Sequence, residues 1–232
     1  METPKIDIQK GELLLIDKPL NWTSFDAVNK IRYAVKGHLG LKKVKVGHAG
    51  TLDPLATGLL IIAIGKATKI IDNYLGQDKE YTGTFTLGAT TPSFDLETEI
   101  DQTFDLAFIS EENIRKTAAN MTGEQLQLPP MFSAKKVDGK KAYTHARKGE
   151  TIELKRNLVN IKAFEITKIN LPEVHFRILC SKGTYIRSIA NDFGENLNNG
   201  AYLSALRRTK IGDFKIEDAT TIEEFTSTLS DD

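Results

Sequence analysis

A chain of 232 residues, 40% of them hydrophobic, is long enough to bury a sizeable core as one large domain or two small ones. The lone Cys180 excludes an intramolecular disulfide, and the longest apolar run, residues 59–64, is too short to cross a membrane; with a polar, flexible tail at residues 1–10 instead of a signal peptide, a cytoplasmic protein is expected. The 31 Lys and Arg balance 31 Asp and Glu, but eight acids and no base lie from Glu80 to Ile114, and six acids and no base follow Lys215, so 17 acids face all 31 bases elsewhere. A basic surface for a polyanion is therefore open to this chain, beside the plainer reading in which scattered lysines merely solvate it.

In chain order, Leu13-Leu14-Leu15-Ile16 opens as a short buried strand that turns at Asp17-Lys18-Pro19. Thr23 or Ser24 can cap a helix whose Phe25, Val28, Ile31 and Val35 recur at three- and four-residue steps on one face. Residues 36–43 are basic and hold two glycines, which predicts a mobile loop. Next comes the stretch that carries most chemistry, Lys45-Val46-Gly47-His48-Ala49-Gly50-Thr51-Leu52-Asp53-Pro54-Leu55-Ala56-Thr57-Gly58, running into the apolar residues 59–64. Pro54 pushes Asp53 out of the helical region, so one carboxylate is held in a turn on the rim of a core strand. Local pattern leaves two readings open: an acid aimed at a ligand, or an Asp that only opens a turn. His48 is equally ambiguous between a structural hydrogen bonder and a participant.

Residues 67–75 read as a short helix ended by Gly76, and Lys79 to Gly88 alternates as a strand with Tyr81, Gly83, Phe85 and Leu87 on one side. Residues 89–109 lack periodicity and read as a long surface loop; Ser110 then caps a helix with Glu111 and Glu112 in its first turn. Residues 128–149 pack six lysines and arginines among aromatics and turns, suited to a phosphate backbone with nearby bases or to a solvated helix face. Strands follow at 158–167 and 174–180, with Cys180 pointing inward and His175 and Arg177 on the wetter side. Gly183 turns the chain and Thr184 caps a predicted helix through Asn196, with Tyr185 and Arg187 in its first turn. Ala201 to Thr209 reads as a helix with Leu203 and Leu206 on one face, followed by a strand at 210–214, and Thr221-Ile222-Glu223-Glu224 is a capping box. No metal-ligand spacing, phosphate-cradling glycine loop or nucleophile triad order appears, so neither a metal nor a cofactor is expected.

The segment GHAGTLDPLATGLL resembles the signature loop of the TruB family of tRNA pseudouridine synthases. Matches in the same order follow at Lys18-Pro19, Lys79-Glu80-Tyr81, Gln127-Leu128-Pro129-Pro130-Met131-Phe132-Ser133-Ala134, Lys182-Gly183-Thr184-Tyr185-Ile186-Arg187 and Leu206-Arg207-Arg208-Thr209. The resemblance implies an α+β pseudouridine synthase fold, with a largely antiparallel central sheet flanked by helices and an RNA-binding cleft. The implied reaction converts uridine-55 in the TΨC loop of tRNA to pseudouridine. Asp53 would be the catalytic nucleophile or base, Arg187 its ion-pair partner and Tyr81 the ring that stacks on the target base. His48, Tyr185 and Leu206 would line the pocket, and Lys18, Lys135, Arg147, Arg207 and Arg208 would contact RNA. The implied organisation is one catalytic domain over 1–232, ending in a short acidic helix and tail at 216–232 without the PUA-type domain of many relatives. It would act as a monomer on tRNA, with no protein partner and no membrane. A catalytically silent RNA-binding protein and a guide-dependent synthase are the rival classes.

Overall fold

The computed structural model describes residues 7, 9–133, 135–137, 140–146, 150 and 152–229. The chain begins with β1 (Glu12–Lys18), α1 (Ser24–His38), β2 (Val46–His48) and β3 (Ala56–Ile64), then a 3-10 turn (Gly65–Ile70) that runs into α2 (Ile71–Leu75). After β4 (Lys79–Leu87) come β5 (Ala89–Thr90), β6 (Gln102–Thr103), α3 (Glu111–Asn120), β7 (Gly123–Gln127), β8 (Lys136–Val137), β9 (Lys140–Lys141) and α4 (Ala142–Ala146). The remainder is β10 (Asn157–Asn170), β11 (Glu173–Cys180), α5 (Ile186–Asn196), β12 (Ala201–Ile211), β13 (Phe214–Lys215), β14 (Thr220–Thr221) and α6 (Ile222–Ser227). Two compact units result, residues 1–81 with 207–232 and residues 82–206. No helix among the described residues is long and apolar enough to cross a membrane.

In the first unit β3 is the central strand. It pairs antiparallel with all of β1, from Glu12↔Ile64 to Lys18↔Gly58, and with β2, from Val46↔Ile64 to His48↔Ile62. Both faces of β3 are covered, which is why residues 59–64 are uniformly apolar and do not alternate. Leu60, Ile62 and Ile64 pack with Val28, Ile31 and Val35 of α1 and with Ile222 and Phe225 of α6. Leu59 and Ile61 face Ala49 and Ile211, backed by Tyr74 and Phe214. Each such side chain contributes on the order of 1.5–3 kcal/mol by leaving water. Helix α1 starts at a full capping box, Thr23 accepting from the Asp26 amide while Asp26 accepts from the Thr23 amide. Phe25, expected on the inner face, is 61% exposed, and Ala27 takes its place in the core. Residues 36–38 complete the last turn of α1, so the loop begins after them.

In the second unit β10 and β11 form a long antiparallel hairpin from Ile161↔Cys180 to Asn170↔Glu173, and β7 adds antiparallel to β10. Four phenylalanines fill its core: Phe85 lies 4.2 Å from Phe176 and 5.5 Å from Phe193 between ring centres, and Phe164 lies 5.6 Å from Phe193. Cys180 is buried, as its place in the alternation required. Ser110 caps α3 and Thr221 caps α6 with its box complete, as the sequence indicated.

Three further expectations are corrected. Residues 201–209 are not a helix but most of β12. The Ala, Leu and Arg content favours a helix, yet strand pairing prevails: Ser204 Oγ donates to the Thr84 carbonyl (3.2 Å), Thr86 Oγ1 donates to Ser204 Oγ (2.8 Å), and the Leu203 amide donates to Phe94 O (2.9 Å). Thr184 does not cap α5; its hydroxyl turns back to Ser181 O at 2.9 Å, and Tyr185 holds the N-cap position, where its side chain does not cap the first helix amides. Residues 89–109 are not simply a surface loop, because β5 and β6 pair within them and Thr91, Ser93 and Asp95 are buried.

Lys18, the last residue of β1, is fully buried, its ammonium donating to Pro19 O (2.8 Å) and Trp22 O (2.6 Å). Burial is the main cause that lowers its pKa from 10.5 to about 8, against the attraction of Asp53. Between these two values the folded chain binds fewer protons than the unfolded one, so this group adds stability as pH rises from about 8 towards 10.5. Urea melts of wild type and Lys18→Met at several values across that range check the sign: the difference should move in favour of wild type as pH rises, and a difference independent of pH would refute it.

Candidate active site

The loop between β2 and β3 is built so that Asp53 has little freedom. The Ser24 hydroxyl accepts from the Leu52 amide (2.8 Å) and donates to the Leu52 carbonyl (3.1 Å). On the other side, the Asn21 amide donates to Pro54 O at 2.8 Å, and the Ala56 amide closes a turn onto Asp53 O at 3.1 Å. The residues before, at and after the acid are therefore each tied by main-chain atoms, and Asp53 itself is half-buried. Gly58, the third residue of β3, has φ +103° and lies so close to β12 that a Cβ would stand 2.3 Å from Arg208 O.

Cations surround this loop from beneath. Arg208 is 1% exposed; its Nε donates to Leu59 O (2.7 Å) and its Nη2 to Gly50 O (3.0 Å). Lys18 sits opposite Gly58 in the β1–β3 ladder and feels the charges of both Asp53 and Arg208. Arg207, one residue before Arg208 and facing the other side of β12, grips Asp17 with Nη1–Oδ1 at 3.0 Å and Nη2–Oδ2 at 2.6 Å, and reaches Thr57 Oγ1 at 3.4 Å. His48 closes β2, its Nδ1 buried with no hydrogen-bond partner among the described residues. Burial first, and then the Arg208 charge, lower its pKa, so the ring is neutral at physiological pH.

Of the cations expected on RNA, Lys18 and Arg208 are thus inside the protein, where neither reaches a phosphate. A guanidinium or ammonium out of water needs acceptors, and both find carbonyl oxygens at the ends of the elements that hold the loop. Arg207 keeps 42% of its side chain exposed. Lys135 donates to Lys155 O (2.5 Å) and Asn157 Oδ1 (2.8 Å) and is half-buried, whereas Arg147 lies outside the described residues.

Tyr81 is buried, at the close of a motif whose other members also have structural work. Lys79 Nζ donates to the carbonyls of Tyr74 (3.2 Å), Leu75 (2.8 Å) and Gln77 (2.6 Å), which caps the end of α2 with a cation. Glu80, also buried, accepts from Thr209 Oγ1 at 2.8 Å and lies 3.5 Å from the Lys210 ammonium.

Arg187 and Tyr185 meet at the head of α5 in the second unit. Gln127 holds the Tyr185 backbone from both sides, accepting its N–H (2.8 Å) and donating to its carbonyl (3.1 Å), and Ser188 Oγ donates to Leu128 O at 2.7 Å. Two motifs 58 residues apart are thereby stapled together. Arg187 is 4% exposed; its Nη1 stands 3.4 Å from Asp95 Oδ2 and 3.5 Å from Ser93 O. Asp95 is the site residue that reading the sequence missed. The segment around it is knotted by its own polar groups: Thr91 Oγ1 and Ser93 Oγ both donate to Asp95 O (2.7 and 3.2 Å), and Phe94 adopts φ +63°. The crowding of Thr, Ser and Asp at residues 90–95 was the available signal, but nothing local says which acid a distant buried arginine will take. Leu206 lies half-buried on β12. Among the described residues no cluster of three or more His, Cys, Asp or Glu could hold a metal ion.

Comparison with known proteins bears on this arrangement. Residues 36–186 match the family model described as TruB family pseudouridylate synthase (N terminal domain), and residues 187–232 match the tRNA pseudouridylate synthase B C-terminal domain. A protein of Flavobacterium johnsoniae named tRNA pseudouridine synthase B is 58% identical over 221 residues, which covers 95% of this chain and 96% of the relative. A protein of Phocaeicola vulgatus with the same name is 54% identical over 220 residues, covering 95% and 94%. Among solved structures, a Cbf5-Nop10-Gar1 complex contains a chain that superposes with a TM-score of 0.71 at 28% identity over 96% of this chain and 56% of its own length. An archaeal box H/ACA sRNP Nop10-Cbf5 complex gives 0.67 at 26% identity over 97% and 57%, so this chain spans just over half the length of each of those proteins. A family model over most of the sequence, and relatives more than half identical along nearly their full length, establish that the chain belongs to the TruB family of pseudouridylate synthases.

Proposed function

We propose that this protein is a tRNA pseudouridine synthase that isomerises uridine-55 in the TΨC loop. The observation that carries the reading is the loop around Asp53, which holds one carboxylate by ties at Leu52, at Asp53 itself and at Pro54, in a chain whose relatives are named tRNA pseudouridine synthase B. An acid fixed in this way meets the need of a reaction in which one carboxylate must stand against a ribose at a set distance.

The target base leaves its stack, an unstacking that costs a few kcal/mol, and stacks on Tyr81 while His48 fills the vacated space or braces the loop. Asp53 then attacks C1′ of the ribose, or removes the 2′ proton, and the N1–C1′ bond breaks. The uracil turns and rejoins C1′ through C5, displacing Asp53 in the first route or with the 2′ proton returned to C2′ in the second; C5 gives up its proton and N1 takes one up, so nothing is hydrolysed and no redox step occurs. Arg187 serves as the guanidinium partner of the Asp53 carboxylate, since it cannot lose its charge and can hold a carboxylate with two parallel bonds. Tyr185 and Leu206 line the uracil pocket, and Arg207, Lys135 and Arg147 contact the RNA. The enzyme works in the cytoplasm as a monomer, without cofactor, guide RNA or protein partner.

Tritium release from C5-labelled uridine in a tRNA stem-loop transcript tests this directly. The purified chain alone should release the label from one uridine per molecule; no release would leave a silent RNA-binding protein, and release only with an added guide would point to the guide-dependent class. Asp53→Asn should lower single-turnover rate by roughly 10²–10⁴-fold, with RNA affinity within about threefold of wild type. Asp95→Asn keeps the shape of the side chain and removes its charge from Arg187. We expect a fall in rate of roughly 10–100-fold, the equivalent of losing one charge-assisted hydrogen bond, again with little change in RNA affinity. A wild-type rate for Asp95→Asn would mean that Arg187 needs no help from it.

A further inference from the structure

We propose that Arg208 is a positioning residue for the carboxylate of Asp53, a staple across the two ends of the loop and not a contact to RNA. The inference rests on the reading of Asp53 as the reacting group. Both hydrogen bonds of the guanidinium go to main-chain carbonyls, one at Gly50 before the acid and one at Leu59 after it. With 1% exposure it offers no face to a phosphate. At the same residue the backbone of β12 lies against Gly58 so closely that any Cβ there would strike the Arg208 carbonyl and amide, at 2.3 and 2.7 Å. Side chain and backbone of one residue therefore fix residues 50, 58 and 59.

The arrangement explains why an arginine stands there. A lysine ammonium on the same stem is a point donor and meets one carbonyl; a planar guanidinium reaches two that diverge. Any shift of the loop away from Arg208 would leave a buried cation without acceptors, so the loop has a steep energetic wall on that side. The neighbouring Arg207 has a different task, because strand geometry turns it to the opposite face, towards Asp17.

The test uses the full chain and the stem-loop assay above, with Arg208→Met, Arg208→Lys and, as a control of folding, Phe225→Ala on the core face of α6. Arg208→Met should lose roughly 100-fold in single-turnover rate, the scale of an ångström's misplacement of a reacting group, while the Kd for the stem-loop stays within about twofold. Arg208→Lys should recover part of that loss, to within about tenfold of wild type. Phe225→Ala should lower the Tm and leave the rate near wild type, which separates positioning from general destabilisation. Hydrogen exchange supplies a readout independent of catalysis: the amides of residues 50–53 and 55–59 should exchange at least about tenfold faster in Arg208→Met, with those of β1 unchanged. The proposal is overturned if Arg208→Met turns over like wild type, if its rate loss is matched by lost RNA affinity or by Phe225→Ala, or if exchange in the loop does not change. Absence of turnover in wild type would overturn the functional reading and this proposal together, whereas wild-type turnover that survives in Arg208→Met overturns this proposal alone.

Discussion

Two buried cations with main-chain acceptors are the constraint on which the rest of the first unit depends. Lys18 and Arg208 each lie out of water and each hydrogen-bond to carbonyl oxygens, at Pro19 and Trp22 in one case and at Gly50 and Leu59 in the other. A charge-assisted bond of this kind contributes about 1.5–3 kcal/mol, and the cost of breaking one is larger because the charge would be stranded. The second of these cations holds the backbone on either side of Asp53, at Gly50 and at Leu59. Apolar packing does the complementary work: β3, covered on both faces, anchors the C-terminal end of the loop in the part of the unit least able to move.

The second unit applies the same physics to an arginine that keeps an acidic partner. Arg187 is held against Asp95 and Ser93 at the start of α5, and the start of α5 is itself pinned by Gln127 through the Tyr185 backbone. A guanidinium ordered in this way has a defined direction as well as a defined charge. Enzymes that stabilise developing charge depend on such groups being in place before the substrate arrives, because reorganisation during the reaction would consume the benefit. The motifs that carry the family likeness are thus largely scaffolding: Lys79 caps a helix, Glu80 holds Thr209, Gln127 holds Tyr185 and Arg208 holds the loop.

Where local pattern and tertiary demand agreed, the elements could be read directly from the chain. The apolar run at 59–64, the alternation of β4 and β11, and the boxes at Thr23 and Thr221 each state their structure within a few residues. Residues 201–209 show the opposite case. Their composition favours a helix by tenths of a kcal/mol per residue, and pairing on both sides of β12 outweighs that preference. The strand matters for the site, because its neighbouring residues point to opposite faces, which sends Arg207 to half-exposed Asp17 and Arg208 into the interior. Phe25 was misplaced for a related reason: at the first turn of α1 the short Ser24 and Ala27 face inward, and the ring is left outside.

By itself the sequence determined the α+β class, the central buried strand, the glycine-rich loop with its single acid, and the family whose motifs recur in order along the chain. These are properties of short segments, governed by periodicity, turn chemistry and capping, and a segment carries them wherever it lies. Only the tertiary structure decided what each charged side chain is for. Lys18, Arg208 and Asp95 look like any surface ion when read along the chain, and their roles follow from burial, which strips away water and obliges each to take whatever acceptor or counter-charge the fold brings within reach.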